Sequence, residues 1–201
     1  MLDFFFDTVI PPRKTELFMR KVTLYELQNL EARSQAGEGL PYHDPRVTSL
    51  VWELKYHASR RAAALAGELL AERLLAIAAE ELGAPLLIPV PMHAARLKER
   101  GHNQTEVLCR AAIKHIDGAL EYEPVALARV RATPFQQGLP KQIRIKNVRN
   151  SMLVRYPEKV VGRICIVVDD VQTTGATLNE AKRALKKAGA RRVHLLSLAH
   201  A

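Results

Sequence analysis

The 201-residue sequence has few cysteines and few aromatic residues, and it has no long uninterrupted apolar segment. Cys109 and Cys165 are its only cysteines. A zinc cluster would need more ligands, and a disulfide framework would need more cysteines. One of the two falls in a predicted helix and the other in a predicted buried strand. We therefore expect two core thiols in a reducing, cytoplasmic setting.

Targeting and membrane signals are also missing. Asp3 and Asp7 interrupt the short apolar run near the N terminus, and neither a basic region nor a small-residue cleavage site accompanies it. No segment is long enough to span a membrane, so we expect no membrane insertion. The sequence also contains neither the Walker pattern G-x-x-x-x-G-K-[ST] nor the Rossmann pattern G-x-G-x-x-G.

Acidic residues are absent from Pro124 to Pro157, although the chain as a whole contains 21 Asp and Glu against 30 Lys and Arg. The basic residues of this acid-free block are Arg129, Arg131, Lys141, Arg144, Lys146, Arg149 and Arg155. Such a block favours an anionic partner, namely a phosphate ligand, nucleic acid or an anionic membrane, and a solvated surface is the alternative. Within it, residues 131–150 have little periodicity and predict a long functional loop.

Apolar strands alternate with amphipathic helices along most of the chain. The patterns predict helices near 23–30, 61–80, 104–114 and 178–188, and strands at 86–90, 124–130, 163–170 and 192–201. Asn103 and Glu106 predict the N-terminal cap of the third helix, and Gly189 predicts the end of the fourth. This alternation is typical of an α/β domain with a mainly parallel sheet.

The stretch "ICIVVDDVQTTGATLNE", residues 164–180, carries the clearest chemical signal. Asp169 and Asp170 end a buried strand, and a Thr- and Gly-rich turn leads into a helix. In open α/β sheets ligands bind at this edge, and the free N–H groups of a helix N terminus suit a phosphate monoester. Gly175 would allow close approach of the backbone. Because carboxylates suit sugar hydroxyls, the motif indicates a ribose 5′-phosphate.

Two alternatives remain open for the same residues. Thr177 and Glu180 also fit a capping box that needs no ligand. The two aspartates could instead hold a metal ion directly.

The string "VVDDVQTTGAT" resembles the phosphoribosyl pyrophosphate (PRPP) binding motif of type I phosphoribosyltransferases. Three further stretches, "LVWELKYHASRRAAALAGELLAE", "IPVPMHAARLKERGHNQTEVLCRA" and "RVRATPFQQGLPKQIRIKNVRNSM", are similar to the ComF family of competence-associated phosphoribosyltransferase-like proteins. The resemblance covers roughly residues 45–200. It implies a type I phosphoribosyltransferase-like α/β fold, with a mainly parallel sheet flanked by helices and a flexible hood loop. We expect this domain at residues 45–201, after an N-terminal extension at residues 1–44.

The resemblance also implies roles for individual residues. Asp169 and Asp170 would bind the ribose hydroxyls, and the 5′-phosphate would lie on Thr173, Thr174, Gly175, Ala176 and Thr177. The pyrophosphate would face the turn after the strand at 86–90, at Pro91, Met92, Arg96 and Arg100. Mg²⁺ would be carried by PRPP and not by protein ligands. The hood loop would contribute Arg131, Gln136, Arg144, Lys146 and Arg149. ComF proteins often carry a four-cysteine zinc module at the N terminus, and we expect no zinc here because no cysteine precedes Cys109.

Two functions follow from this resemblance. The first is Mg²⁺-dependent transfer of ribosyl 5-phosphate from PRPP to an unknown acceptor, with release of pyrophosphate, in a protein linked to DNA uptake or utilisation. The second is a non-catalytic accessory protein that senses PRPP, binds single-stranded DNA and contacts the DNA-uptake machinery. Aromatic residues make up only 5% of the chain, so the composition shows no evident stacking platform for bases. We expect His93 and His102 to be surface or hydrogen-bonding residues, and Trp52 and Tyr56 to be packing residues.

Overall fold

A computed structural model describes residues 13–34, 39–132 and 147–201. Within these ranges helices α1 to α8 span Lys14–Met19, Leu24–Arg33, Pro45–His57, Arg60–Ala79, Ala94–Arg100, Gln104–Ala112, Pro157–Val160 and Ala176–Lys187. Strands β1 to β7 span Leu40–Pro41, Leu86–Pro89, Glu121–Tyr122, Leu127–Arg129, Met152–Val154, Ile164–Gln172 and Arg192–His200. A 3₁₀ turn, Ile113–His115, follows α6.

Five strands form one parallel sheet in the order β1-β7-β6-β2-β3. Strand β6 lies at its centre, and its first seven residues are buried. A strand covered on both faces needs apolar residues at consecutive positions, as in the run "ICIVV". Strands β4 and β5 form a separate antiparallel pair. The predicted α/β class with a mainly parallel sheet is confirmed.

The side chains of β6 divide the core into two layers. Ile166 and Val168 pack with α3, α4 and α6, whereas Cys165 and Val167 pack with α8 on the opposite face. This division follows from the two-residue period of a strand. Cys109 lies in the first layer, so both thiols are core residues as expected. Burial raises the pKa of Cys165 to about 11 and also raises that of Cys109.

The described N-terminal segment packs on the same core. The carboxylate of Glu53, a fully buried residue of α3, accepts hydrogen bonds from the Thr15 hydroxyl at 2.6 Å and the Arg13 guanidinium at 3.0 Å. Strand β1 pairs with β7 in the register Leu40 to Ala199 and forms an edge of the main sheet. The division of the chain at residue 44 stays a prediction.

In the described parts of the chain, no helix combines the length and the apolar character needed to cross a bilayer.

Candidate functional site

Asp169 and Asp170 lie near the carboxyl end of β6 and are 9% and 5% exposed. Each carboxylate accepts a hydrogen bond from the amide of the following residue, at 2.9 Å for Asp169 and 2.8 Å for Asp170. Lys55 of α3 also pairs with Asp170, with 3.2 Å between Nζ and Oδ2. Burial opposes the charge on Lys55, but Asp170, together with Tyr42 and Asp169, favours it, and the pKa of Lys55 is raised overall. The cost of burying Asp170 is therefore offset by an amide and a cation.

Asp169 has a different electrostatic environment. Burial, and next the charge of Asp170, raise its pKa to about 7, although the Asp170 amide and the Arg129 cation oppose this shift. Arg129 ends β4, and burial lowers its pKa. The site therefore holds one carboxyl that titrates near neutral pH beside one that is paired with lysine.

The turn after β6 supplies the N terminus of α8. Gly175 caps this helix in the left-handed region, at φ 70°. The amide of Asn179 donates to the Gly175 carbonyl at 2.9 Å, and the earlier amides of the first turn have no carbonyl partner within the helix. The Thr174 hydroxyl accepts from the Ala176 amide at 3.4 Å. A helix N terminus of this kind can bind an anion.

The capping-box interpretation of Thr177 and Glu180 is wrong. The helix begins at Ala176, so Thr177 is already inside its first turn. The Glu180 carboxylate instead accepts from the Met152 amide at 3.2 Å and from Arg183 at 2.8 Å. Glu180 thus fastens β5 to α8.

The segment after β2 forms the opposite side of the site. A polar turn was expected between the strand at 86–90 and the next helix, but Ala94–Arg100 forms the short helix α5. The His93 ring accepts from the Ala95 amide at 3.3 Å, and His102 donates to the Leu54 carbonyl at 2.8 Å. Both histidines therefore have the hydrogen-bonding roles that we expected.

Asn103 holds this segment against the sheet. Its side-chain amide donates to the Val90 carbonyl at 3.1 Å and to Glu106 at 3.3 Å. Its oxygen accepts from the Thr105 amide at 3.1 Å. The predicted N-terminal cap of α6 is confirmed, and the same side chain fixes the segment to the end of β2.

These elements surround an open pocket of about 530 Å³ at the carboxyl edge of the sheet. It is lined by all eleven residues that the sequence assigned to ribose, phosphate and pyrophosphate: Asp169, Asp170, Thr173, Thr174, Gly175, Ala176, Thr177, Pro91, Met92, Arg96 and Arg100. Four basic residues line it as well, counting those already named: Lys55, Arg96, Arg100 and Arg129. The pocket thus combines carboxylates, a helix N terminus and cations.

The predicted hood residues are only partly described. Gln136, Arg144 and Lys146 lie at positions 133–146, outside the described residues. The Arg131 guanidinium donates to the carbonyls of Asn147 and Arg149. Arg131 therefore links residues on the two sides of positions 133–146.

Several pocket residues were not predicted. Lys55 stands between Glu53 and His57, and Arg129 is one of several cations in the acid-free block, so no sequence signal marked either of them as a pocket residue. Trp52 and Tyr56 were expected to be packing residues, but they are 47% and 45% exposed and line the pocket. The prediction is wrong because α3 buries a face that includes Leu50, Val51 and Leu54, and i,i+4 spacing does not tell which face is buried.

Metal ligands are not grouped in the described ranges 13–34, 39–132 and 147–201. No cluster of three or more His, Cys, Asp or Glu residues that could hold an ion occurs there.

Comparisons with known proteins identify the family. A model of the phosphoribosyl transferase domain matches residues 56–201. The DNA utilization protein YhgH of Salmonella typhi is 35% identical over 160 residues, which cover 78% of this chain and 68% of that protein. Competence protein F of Haemophilus influenzae is 35% identical over 117 residues, 57% of this chain and 50% of that protein.

A solved structure gives a weaker match. Glutamine PRPP amidotransferase from B. subtilis, complexed with ADP and GMP, aligns with 82% of this chain and 32% of its own at 18% identity and a TM-score of 0.41. The family assignment rests on the sequence matches.

The fold and the match to the family model define a type I phosphoribosyltransferase-like domain. The chain belongs to the ComF family within that class.

Proposed function

We propose that the protein binds PRPP with Mg²⁺ in this pocket and transfers its ribosyl 5-phosphate group to an acceptor, releasing pyrophosphate. The observation that carries the proposal is the junction of β6 and α8. It places two buried carboxylates directly before a glycine-capped helix N terminus, with Arg96 and Arg100 lining the same pocket. These are the groups that a sugar carrying phosphates at both ends requires.

Each part of the pocket has a chemical task in this proposal. The Asp169 and Asp170 carboxylates accept hydrogen bonds from the ribose hydroxyls. The amides at the start of α8 and the hydroxyls of Thr173, Thr174 and Thr177 bind the 5′-phosphate. Arg96 and Arg100 bind the pyrophosphate and stabilise its charge as it leaves, so the residues act by positioning and electrostatics.

The pocket also suits a magnesium complex of PRPP. Its carboxylates offer hard oxygen acceptors, which suit the water shell of a Mg²⁺ ion that PRPP carries. The ion would neutralise charge on the departing pyrophosphate. The charge of Asp170 is already compensated within the protein by Lys55, whose Nζ lies 3.2 Å from Asp170 Oδ2.

A second function is supported by the names of the relatives. Proteins named for DNA utilisation and for competence align with this chain. We infer a role for this protein in DNA uptake or utilisation, in which the pocket serves either transfer or PRPP sensing and single-stranded DNA is a partner.

Calorimetric titration with Mg·PRPP tests the binding proposal. We expect the wild-type protein to bind and Asp170→Ala to bind at least about tenfold more weakly, because charge-assisted hydrogen bonds to the ribose are lost. Asp117→Ala is the matched control, because Asp117 is exposed, precedes β3 and does not line the pocket. Unchanged affinity in folded Asp170→Ala would rule out the assignment.

Pyrophosphate release over a panel of bases then separates the two functions. Release that depends on one base identifies a transferase and its acceptor. Tight binding of Mg·PRPP without release supports a sensor.

A further inference from the structure

Trp52 and Tyr56 form an exposed aromatic pair that has no task in the proposed function so far. Their ring centroids are 4.3 Å apart, and the ring planes are inclined by 45°. Single exposed aromatic side chains are ordinary, but two rings in contact beside a polar pocket leave a continuous apolar surface at a binding site. Both rings line the pocket that also contains Asp170.

Helix α3 fixes the position of the pair relative to the proposed ribose site. At 3.6 residues per turn, Trp52 lies about 60° around the helix from Lys55 and about 40° from Tyr56. Lys55 contacts Asp170 at 3.2 Å. The aromatic pair therefore projects from the same turn of helix that reaches the carboxylates.

A cation stabilises the pair from the other side of the pocket. The guanidinium carbon of Arg100 lies 5.1 Å from the centroid of the Tyr56 ring. The same guanidinium donates to the Gln104 side chain at 2.9 Å, so its position is fixed from α6. Rings held in this way lose little conformational entropy when a flat ligand stacks on them.

We infer that Trp52, supported by Tyr56, is a stacking platform for a nucleobase. This inference deepens the proposed function and rests on it for the location of the ribose. A nucleobase is the planar π-system that naturally accompanies a ribose phosphate, and stacking on an aromatic side chain accepts any base. The base can be part of single-stranded DNA, or it can be the free base that accepts the ribosyl group. The platform would stack on the base in the same way in both cases.

Trp52 is the only tryptophan in the chain, so tryptophan fluorescence, excited selectively over the tyrosines, reports on this surface alone. The probes are oligothymidine, an abasic oligonucleotide of equal length and charge, and free hypoxanthine and uracil with and without Mg·PRPP. We expect quenching by probes that carry bases and none by the abasic strand. Quenching by oligothymidine without PRPP identifies a strand, and quenching by a free base only with Mg·PRPP identifies the acceptor.

Substitutions then link the signal to the pair. Tyr56→Leu should weaken base binding about fivefold or more, since stacking contributes on this scale. Trp52→Leu, followed with a labelled oligonucleotide or by calorimetry, should do the same. Tyr25→Leu is the control, because Tyr25 is 73% exposed on α2 and does not line the pocket.

Mg·PRPP binding by the wild-type protein keeps this inference separate from the proposed function. It tests the proposed function alone, because neither ring contacts phosphate or ribose in the proposal. If the wild-type protein does not bind Mg·PRPP, the proposed function is wrong. Quenching by probes that carry bases can still be measured in that case, so the two ideas fail separately. Equal responses to abasic and base-bearing strands, together with no response to free bases, would overturn the platform.

Discussion

Asp169 is the residue whose charge is most sensitive to pH in the site. Burial and the neighbouring Asp170 raise its pKa to about 7 from an ordinary value of 3.8. Between these two pH values the folded protein binds more protons at this carboxyl than the unfolded chain does. The contribution of Asp169 to stability is therefore present at low pH and is lost as the pH rises to about 7.

We predict that Asp169→Asn removes this loss. The difference in the free energy of unfolding between the variant and the wild type should shift in favour of the variant between pH 4.5 and pH 8, by at most about 3 kcal/mol. Urea unfolding at a series of pH values measures it, with Asp117→Asn as the control that should follow the wild type. Parallel curves for Asp169→Asn and the wild type would contradict the electrostatic account of the site.

The aspartates, threonines and glycine of the β6–α8 junction could be identified from the sequence because their order along the chain matches their order in space. Lys55 and Arg129 could not be identified as site residues in this way. Each reaches the pocket from a distant part of the chain, and only the packing of α3 and β4 beside β6 brings them to Asp170 and Asp169. The exposure of Trp52 was missed because i,i+4 spacing does not tell which face of α3 is buried.

At the scale of single elements, Gly175 joins β6 to α8 in a conformation that glycine adopts easily. At φ 70°, alanine would add a Cβ 3.2 Å from Asn179 Nδ2 and would cost about 1–2 kcal/mol in the left-handed region. Gly162 offers a matched comparison, because it has φ 72° and no atom within 4 Å of an added Cβ.

We predict that Gly175→Ala and Gly162→Ala lower the free energy of unfolding by similar amounts, of about 1–2 kcal/mol. Only Gly175→Ala should also weaken Mg·PRPP binding, because the turn would no longer present its amides to the phosphate. Denaturant unfolding and calorimetry on the same preparations give both quantities. Equal PRPP affinities in the two variants would show that the turn is structural only.

The elements that were predicted correctly are those with a strong apolar pattern. Helices α4 and α8 are long, and their apolar residues recur at helical spacing. Strand β6 was recognised instead by its run of consecutive apolar residues. Helix α5 was missed because none of its residues is buried, so it has no apolar period. Strands β1 and β3 have two residues each and exist only through pairing with β7 and β2.

At the scale of the whole molecule, the net charge of +9 and the acid-free block favour a polyanion. We predict sequence-independent binding to single-stranded DNA, with a slope of log K against log[salt] near −3 for roughly four phosphate contacts. Replacing Arg149 and Arg155, both exposed, with alanine should reduce the magnitude of the slope by about 1.4.

Titration of labelled oligothymidine at several salt concentrations measures this slope. Lys114→Ala, an exposed cation outside the block, should change it less. No binding to oligothymidine at low salt would mean that the charge serves only solubility.

The most direct test of the central claim is a crystal structure of the protein with Mg·PRPP. The account predicts the 5′-phosphate at the N terminus of α8, within hydrogen-bonding distance of the amides of residues 174–177. It also predicts the ribose hydroxyls on Asp169 and Asp170, and the pyrophosphate beside Arg96 and Arg100. A phosphate bound elsewhere, for instance on the acid-free block away from α8, would contradict the account.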